Sequence, residues 1–245
     1  MIAPDARRGE GPIESASSAM RAAVRIIATV AGLDVPVLFR GESGSGKSAL
    51  ARALHAASPR RTHRLVPVDC QALQAETAPS ARVLAAKLEE AIGGSILLEE
   101  IGALPGRSQG VIASLLEQHG LGAPTVDVRV IATSHLDLEA AVSAHHFRED
   151  LLTRLNVVEV FVPPLRDRRE DILPLAGRFL EVFSPGHELP PELTPRAQRA
   201  LLEYEWPGNV RELRNAIHHA VVLSRTPALD VDALPPRLAE LGRRA

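Results

Sequence analysis

The sequence predicts an α/β fold, with a parallel sheet covered by helices on both faces, followed by a small helical unit. Three observations carry this expectation. Short apolar runs alternate with helical stretches from Val35 to Val162, the pattern of strands joined by helical crossovers. One of these runs leads into a glycine-rich turn that opens a helix. After Pro163-Pro164 the remaining pattern reads as helix and loop only. With 245 residues, 45% of them hydrophobic, the chain is long enough to bury a sizeable core. Only 3% are aromatic, so that core must be built from Ala, Leu, Val and Ile.

The elements follow in order. Residues 1–12 read as a loose tail. A helix is expected from Ser18 to Ala31, with Met20, Val24, Ile27 and Ala31 on one face. Val35 to Phe39 reads as a buried strand, followed by the glycine-rich stretch and a helix from Ser48 to Ala57. Leu65 to Cys70 reads as a second strand, and Pro67 within it demotes it to a sheet edge because proline has no N–H to donate. Residues 81–92 form an amphipathic helix with Ala81, Leu84, Ala85, Leu88, Ala91 and Ile92 on one face, stopped by Gly93-Gly94. A strand from Ser95 to Leu98 ends in Glu99-Glu100. Further on come a helix from Ser108 to Gln118 and a strand from Val128 to Thr133. Helices near Leu138–Ala144 and Phe147–Leu155 and a strand from Val157 to Val162 complete the alternation. The later helices are expected at about Arg169–Phe183, Thr194–Tyr204, Val210–Ser224 and, weakly, Pro235–Leu241.

Charge and cysteine content narrow the classes. A net charge of −2 provides no global basic field toward nucleic acid or anionic lipid. The single cysteine, Cys70, has no internal disulfide partner and reads as a small buried side chain, which fits a reducing cytoplasm. The first twelve residues lack the apolar segment of a signal peptide, and no run of about 18 apolar residues exists to span a membrane. A cytoplasmic location is the expectation.

Gly41-Glu42-Ser43-Gly44-Ser45-Gly46-Lys47-Ser48 matches G-x-x-x-x-G-K-[ST] in full. The glycines let successive N–H groups converge on one anion, Lys47 adds charge for the β/γ-phosphates, and Ser48 offers a hydroxyl to Mg2+ at a helix N-terminus. The context is the required one, with an apolar strand before the loop and a helix after it. In Ile96-Leu97-Leu98-Glu99-Glu100 an apolar strand ends in two acids. That arrangement suits a Mg2+ ligand, Glu99, followed by a residue that polarises the attacking water, Glu100.

Three longer strings reinforce the phosphate loop. They are Phe147-Arg148-Glu149-Asp150-Leu151 with Arg154-Leu155-Asn156-Val157, then Pro163 to Ile172, then Trp206-Pro207-Gly208-Asn209-Val210-Arg211-Glu212-Leu213. In these residues the chain resembles the AAA+ central (sigma-54 interaction) domain of bacterial sigma-54-dependent transcription activators, from about Ile13 to Leu223. The resemblance implies a P-loop AAA+ three-layer fold. Its five-stranded parallel sheet, with the phosphate-loop strand central, occupies 13–168, and a C-terminal helical lid occupies 169–245. It implies ATP and Mg2+ as ligands and self-association into a ring, usually hexameric, with ATP between subunits. Arg148 and Arg154 match the arginine-finger positions that reach a neighbour's γ-phosphate, and Arg211 matches the sensor-II position of the lid. The implied partners are the transcription machinery, with no membrane association. No DNA-binding motif is evident within the chain, and Arg243-Arg244 is too small a basic patch to imply one.

The chain also departs from the family. The G-A-F-T-G-A loop that touches sigma-54 is absent, and only 22 residues separate Cys70 from Gly93. The second family loop is cut to His119–Val126. Asp69 stands where the family has an Asn that restrains the catalytic acid, Ser134-His135 replaces Thr-Asn at sensor I, and Glu99 replaces Asp. A negative charge at Asp69 is expected to act on Glu100. These changes point away from direct sigma-54 remodelling and toward slow or altered hydrolysis. The competing expectation is a degenerate AAA+ nucleotide-gated interaction module with little or no turnover. Trp206 is expected to anchor packing, Asn209 to cap the helix that follows it, and His145-His146 to lie at a polar helix end or loop.

Overall fold

The computed structural model describes residues 15–75, 80–120, 126–185, 191–224 and 228–244. The expected tail and most of the shortened loop near 119–126 lie outside them. The chain divides into two compact units. One holds Ala22–Gly41 and Lys47–Val162; the other holds Ser15–Arg21, Glu42–Gly46 and Pro163–Ala245.

The first unit is the α/β body. Helix α1 (Ser18–Val30) enters it and buries Ala23, Ile27 and Val30, while Val24 is only half-buried. Strand β1 (Val37–Arg40) leads through the phosphate loop into α2 (Lys47–Ala56). There follow β2 (Leu65–Asp69), the short α3 (Ala72–Ala75), α4 (Ser80–Glu90), β3 (Ser95–Glu99), α5 (Gly106–Gly120) and β4 (Arg129–Ser134). Then come α6 (Leu138–Ser143), α7 (Glu149–Leu155) and β5 (Val158–Phe161). Among the described residues the strands form one five-stranded parallel sheet in the order β2-β3-β4-β1-β5. Strand β2 lies at the edge of this sheet, in keeping with Pro67, and among the described residues pairs with β3 alone. Strand β1 is interior, but β4 occupies the middle, a correction to the central place expected for the phosphate-loop strand.

The core of this unit is aliphatic, with Leu38, Leu84, Ile96, Leu98, Ile112, Ala132 and Leu151 all essentially inaccessible to solvent. On α4 the buried stripe is Leu84 and Leu88, continued by Ala91. The expected Ala85 and Ile92 are exposed, because they lie one residue around the helix from that stripe. Arg129, almost fully buried, fastens the end of α1 to β4. Its Nη1 and Nη2 donate to the carbonyls of Ala31 and Val30, each at 3.0 Å, groups that a helix end leaves without intrahelical partners.

The second unit comprises α8 (Ile172–Phe183), β6 (Glu192–Leu193), α9 (Pro195–Glu203), α10 (Asn209–Leu223), β7 (Ala228–Leu229) and α11 (Pro236–Arg244). Strands β6 and β7 form a two-residue parallel pair where only loop was expected; two residues are too short to show a period. Thr194 caps α9, accepting from the Ala197 N–H at 3.2 Å, with Pro195 at the first helical position. Trp206 is fully buried among Leu201, Leu213 and Ile217, and its Nε1–H donates to the Leu201 carbonyl at 2.8 Å. The anchoring role expected of it is therefore matched by a satisfied indole.

Candidate functional site

Lys47 opens α2 and is 4% exposed. Its Nζ donates to the Gly41 carbonyl at 2.9 Å and lies 3.3 Å from Glu100 Oε1. A buried ammonium folded back on its own loop and on a carboxylate is a cation held ready for an anion. Ser48 is the second residue of the same helix. Glu99 closes β3, with Oε1 3.5 Å from Arg52. The hydroxyl of Ser48 and the carboxylate of Glu99 are hard oxygen donors, the chemistry Mg2+ takes when phosphates supply the remaining ligands.

Glu100 follows β3 in the left-handed region, φ 56°, unusual for a residue with a side chain. Its N–H donates to Thr133 Oγ1 at 3.0 Å. Its Oε2 accepts the His135 N–H at 3.0 Å and lies 2.5 Å from His135 Nδ1. Burial pushes the Glu100 carboxyl up, but the His135 hydrogen bond and the Lys47 charge outweigh it and leave it below its usual range. Asp69, expected to act on Glu100, instead accepts from the N–H groups of Gln71 and Ala72 at 2.9 and 3.3 Å and so starts α3. Glu100 is engaged instead by His135 on one carboxylate oxygen and by Lys47 on the other.

Residues 42–46 of the loop belong to the helical unit, which grips them at several points. Glu42 forms a two-pronged pair with Arg166, at 2.8 Å and 2.5 Å. Arg166, and then Asn209, hold the Glu42 carboxyl down to about 2. Asn209 is fully buried and does not cap α10, contrary to expectation. Its Oδ1 accepts the Leu165 N–H at 2.7 Å, and its Nδ2 donates to Glu42 at 3.1 Å and to the Ser43 carbonyl at 3.0 Å. The start of α10 is served by Glu212, which accepts the Gly208 N–H at 2.8 Å. Gly44, φ +76°, must be glycine twice over: a Cβ there would lie 2.3 Å from the Gly208 carbonyl oxygen. The Val210 N–H donates to the Gly44 carbonyl at 3.0 Å. The buried Arg168 donates to the Ser45 carbonyl. Arg211 donates to Ser43 Oγ at 3.0 Å and lines a cavity of about 330 Å³ with Ser43, Pro207, Gly208 and Glu212. Gly41 and Gly46, at φ 147° and 103°, complete the turn.

Arg148 and Arg154 share a groove of about 640 Å³ over α5 and α7, and none of Lys47, Ser48, Glu99 or Glu100 lines it. Asp150 sits between them. It accepts from Arg148 Nε and Nη2 at 2.9 and 2.7 Å and lies 3.6 Å from Arg154 Nη1, while Arg154 Nη2 lies 3.1 Å from Glu117 Oε1. Buried Gln109 fixes the approach to α7. It accepts the Arg148 N–H at 2.9 Å and donates to the Leu104 and His146 carbonyls at 2.8 and 3.0 Å. Gln109, Arg166 and Arg168 were not singled out from the sequence, since a lone Gln or Arg carries no periodic or motif signal. Arg166 and Arg168 do fall within the string that follows Pro163.

A phosphate loop between strand and helix of a parallel sheet, with a helical lid after it, defines a P-loop domain of the AAA+ type. The chain belongs to the sigma-54 interaction domain family, whose profile matches residues 13–161, and the AAA+ ATPase lid domain profile matches residues 166–245. It is 40% identical to the alginate biosynthesis transcriptional regulatory protein AlgB of Pseudomonas aeruginosa, over 93% of this chain and 55% of that protein. It is 41% identical to the transcriptional regulatory protein ZraR of Klebsiella oxytoca, over 84% of this chain and 51% of that one. The chain thus spans about half the length of the curated relatives it matches. Crystal structures of NtrX from Brucella abortus in complex with ATP and with ADP superpose with a TM-score of 0.81 each. They are 33% and 32% identical to this chain, cover 95% of it, and are themselves covered to 58% and 57%.

Proposed function

We propose that the chain binds ATP with Mg2+ on Gly41–Ser48 and hydrolyses it, as the nucleotide-driven part of a bacterial transcription regulator. The observation that carries this reading is the buried Lys47 ammonium, held between the Gly41 carbonyl and Glu100 at the mouth of the loop. Backbone N–H groups of Gly44, Ser45 and Gly46 bind phosphate oxygens, and Lys47 exchanges its present partners for them. Ser48 and Glu99 would hold Mg2+, which when bound neutralises charge on the transferred phosphoryl group. Glu100 orients and polarises the attacking water. Arg211 contacts phosphate from the lid.

Arg148 and Arg154 lie in a groove apart from Lys47 and Glu100, so their guanidinium groups serve the nucleotide of a neighbouring subunit in a ring, for which a hexamer is the expectation. The NtrX complexes with ATP and ADP support nucleotide binding by this fold. No G-A-F-T-G-A string occurs in the sequence, so contact with sigma-54 through that loop is not part of the proposal. One observation favours the second reading, a nucleotide-gated interaction module with little turnover: both Glu100 oxygens are engaged, by Lys47 and by His135.

The test is titration with a fluorescent ATP analogue, with and without Mg2+. Binding in the low-micromolar range that Lys47→Ala weakens at least tenfold is the expected result. Binding indifferent to Lys47→Ala would overturn the assignment of the loop. Phosphate release that Glu100→Gln abolishes separates the first reading from the second.

A further inference from the structure

We propose that Gln109 is the positioning residue for Arg148, setting where its guanidinium stands to serve a neighbouring subunit. The inference rests on the ring ATPase reading above and deepens it. Arg148 immediately precedes α7, so its N–H has no carbonyl of that helix to bond. Gln109 Oε1 accepts that N–H at 2.9 Å, and Nε2 donates to the Leu104 and His146 carbonyls at 2.8 and 3.0 Å. All three hydrogen bonds run to backbone, from a side chain that is 2% exposed. In the segment they hold, His145 stands in the left-handed region, φ 58°, which a residue with a side chain keeps only where its surroundings enforce it. Phe147, buried, lies between the two groups that Gln109 fastens, the His146 carbonyl and the Arg148 N–H.

The Arg148 guanidinium is carried on this fixed stem. Asp150 accepts from its Nε and Nη2, and Nη1 passes over Gly110, the residue after Gln109, 4.0 Å from where a Cβ would stand. About two turns further along α5, Glu117 lies 3.1 Å from Arg154 Nη2. One helix thus addresses both arginines of the groove, Arg148 through a buried amide and Arg154 through an exposed ion pair. An exposed pair fixes little. The buried amide, with its acceptor and both donors in use, is the point that sets the geometry. An arginine displaced by about 1 Å from the charge it must neutralise can cost about a hundredfold in rate.

Turnover in mixed assemblies tests this, because a residue that acts through Arg148 must fail as a donor of arginine and not as a binder of ATP. Gln109→Met keeps the length of the side chain and removes all three hydrogen bonds. It is expected to lower kcat about tenfold or more, with affinity for the fluorescent ATP analogue within about twofold of the parent. Mixed in equal amounts with Lys47→Ala, whose arginines are intact, it is expected to regain turnover, as Arg154→Ala does in the same mixture. Mixed with Arg148→Ala it is expected to regain none, since neither chain then presents a well-placed Arg148. Gln109→Glu keeps the acceptor for the Arg148 N–H and is expected to retain more turnover than Gln109→Met; it enters the same mixtures if Gln109→Met does not fold. An unchanged kcat would overturn the proposal. So would an analogue affinity that falls in step with kcat, recovery with Arg148→Ala, or no recovery with Lys47→Ala where Arg154→Ala recovers. A parent without turnover, or an Arg154→Ala mixture that also fails, would defeat the ring ATPase reading and this proposal with it.

Discussion

Asn209→Ala should destabilise the helical unit by about 5 kcal/mol. The Leu165 N–H, fully buried, would lose its acceptor, and the Ser43 carbonyl would lose a donor. Leaving such groups unsatisfied costs about 1–3 kcal/mol each. Asn209 also sits at φ 53°, a region asparagine tolerates and alanine occupies at a cost of about 1 kcal/mol more. Glu42 keeps its two hydrogen bonds from Arg166, so its share of the loss is small. Asn209→Asp sharpens the argument. It preserves shape and the acceptor for Leu165, but places a second oxygen 3.1 Å from a Glu42 oxygen and 3.0 Å from the Ser43 carbonyl oxygen. It should therefore cost at least as much as alanine. Urea unfolding followed by tryptophan fluorescence reads this unit selectively, because Trp206 is the only tryptophan and is buried there. A loss below about 1 kcal/mol for alanine, less than one unsatisfied buried group costs, would refute the reasoning. Parent-like stability in the aspartate variant would refute it equally.

Gly44→Ala should lower nucleotide affinity by more than tenfold, measured with the fluorescent analogue, because its Cβ meets the Gly208 carbonyl at 2.3 Å and its φ is +76°. Arg129→Met should cost about 3 kcal/mol in urea unfolding followed by circular dichroism, since the Val30 and Ala31 carbonyls lose their donors. Arg129→Lys should recover only part of this, as an ammonium cannot reproduce the guanidinium fork. His55 is buried, with Nδ1 on Ser95 Oγ and Nε2 on the His63 carbonyl, and burial, then Arg129 and neighbouring cations, lower its pKa. A lowered histidine pKa favours the neutral ring in the folded state. Its contribution is therefore present above the ordinary value of 6.5 and is lost as pH falls from there through the lower folded value. The urea midpoint of the α/β unit should drop across that window, and His55→Gln should flatten the drop.

Much of the body was legible because its signals are periodic or positional. The strands β1, β3 and β4 read as apolar runs since both faces are buried, and Pro67 alone placed β2 at an edge. The phosphate loop was legible because its glycines serve backbone geometry, and geometry of that kind leaves a fixed spacing. What escaped was tertiary. Asn209 looked like a helix cap by local rule, but its amide satisfies three groups far away in sequence. Asp69 looked like a charge aimed at Glu100, but its own neighbours Gln71 and Ala72 offered closer donors. The His135–Glu100 contact joins the ends of two adjacent strands, and strand order, which the sequence does not spell out, brings those ends together.

The most direct test of the account is ATP turnover per chain measured against protein concentration, for the parent, Lys47→Ala, Arg154→Ala and an equal mixture of the two variants. The account predicts that turnover per chain rises with concentration, is lost in each variant alone and is partly recovered in the mixture, where one subunit supplies the loop and its neighbour the arginine. A rate per chain that does not change with concentration and survives Arg154→Ala would contradict it, as would the absence of turnover at every concentration.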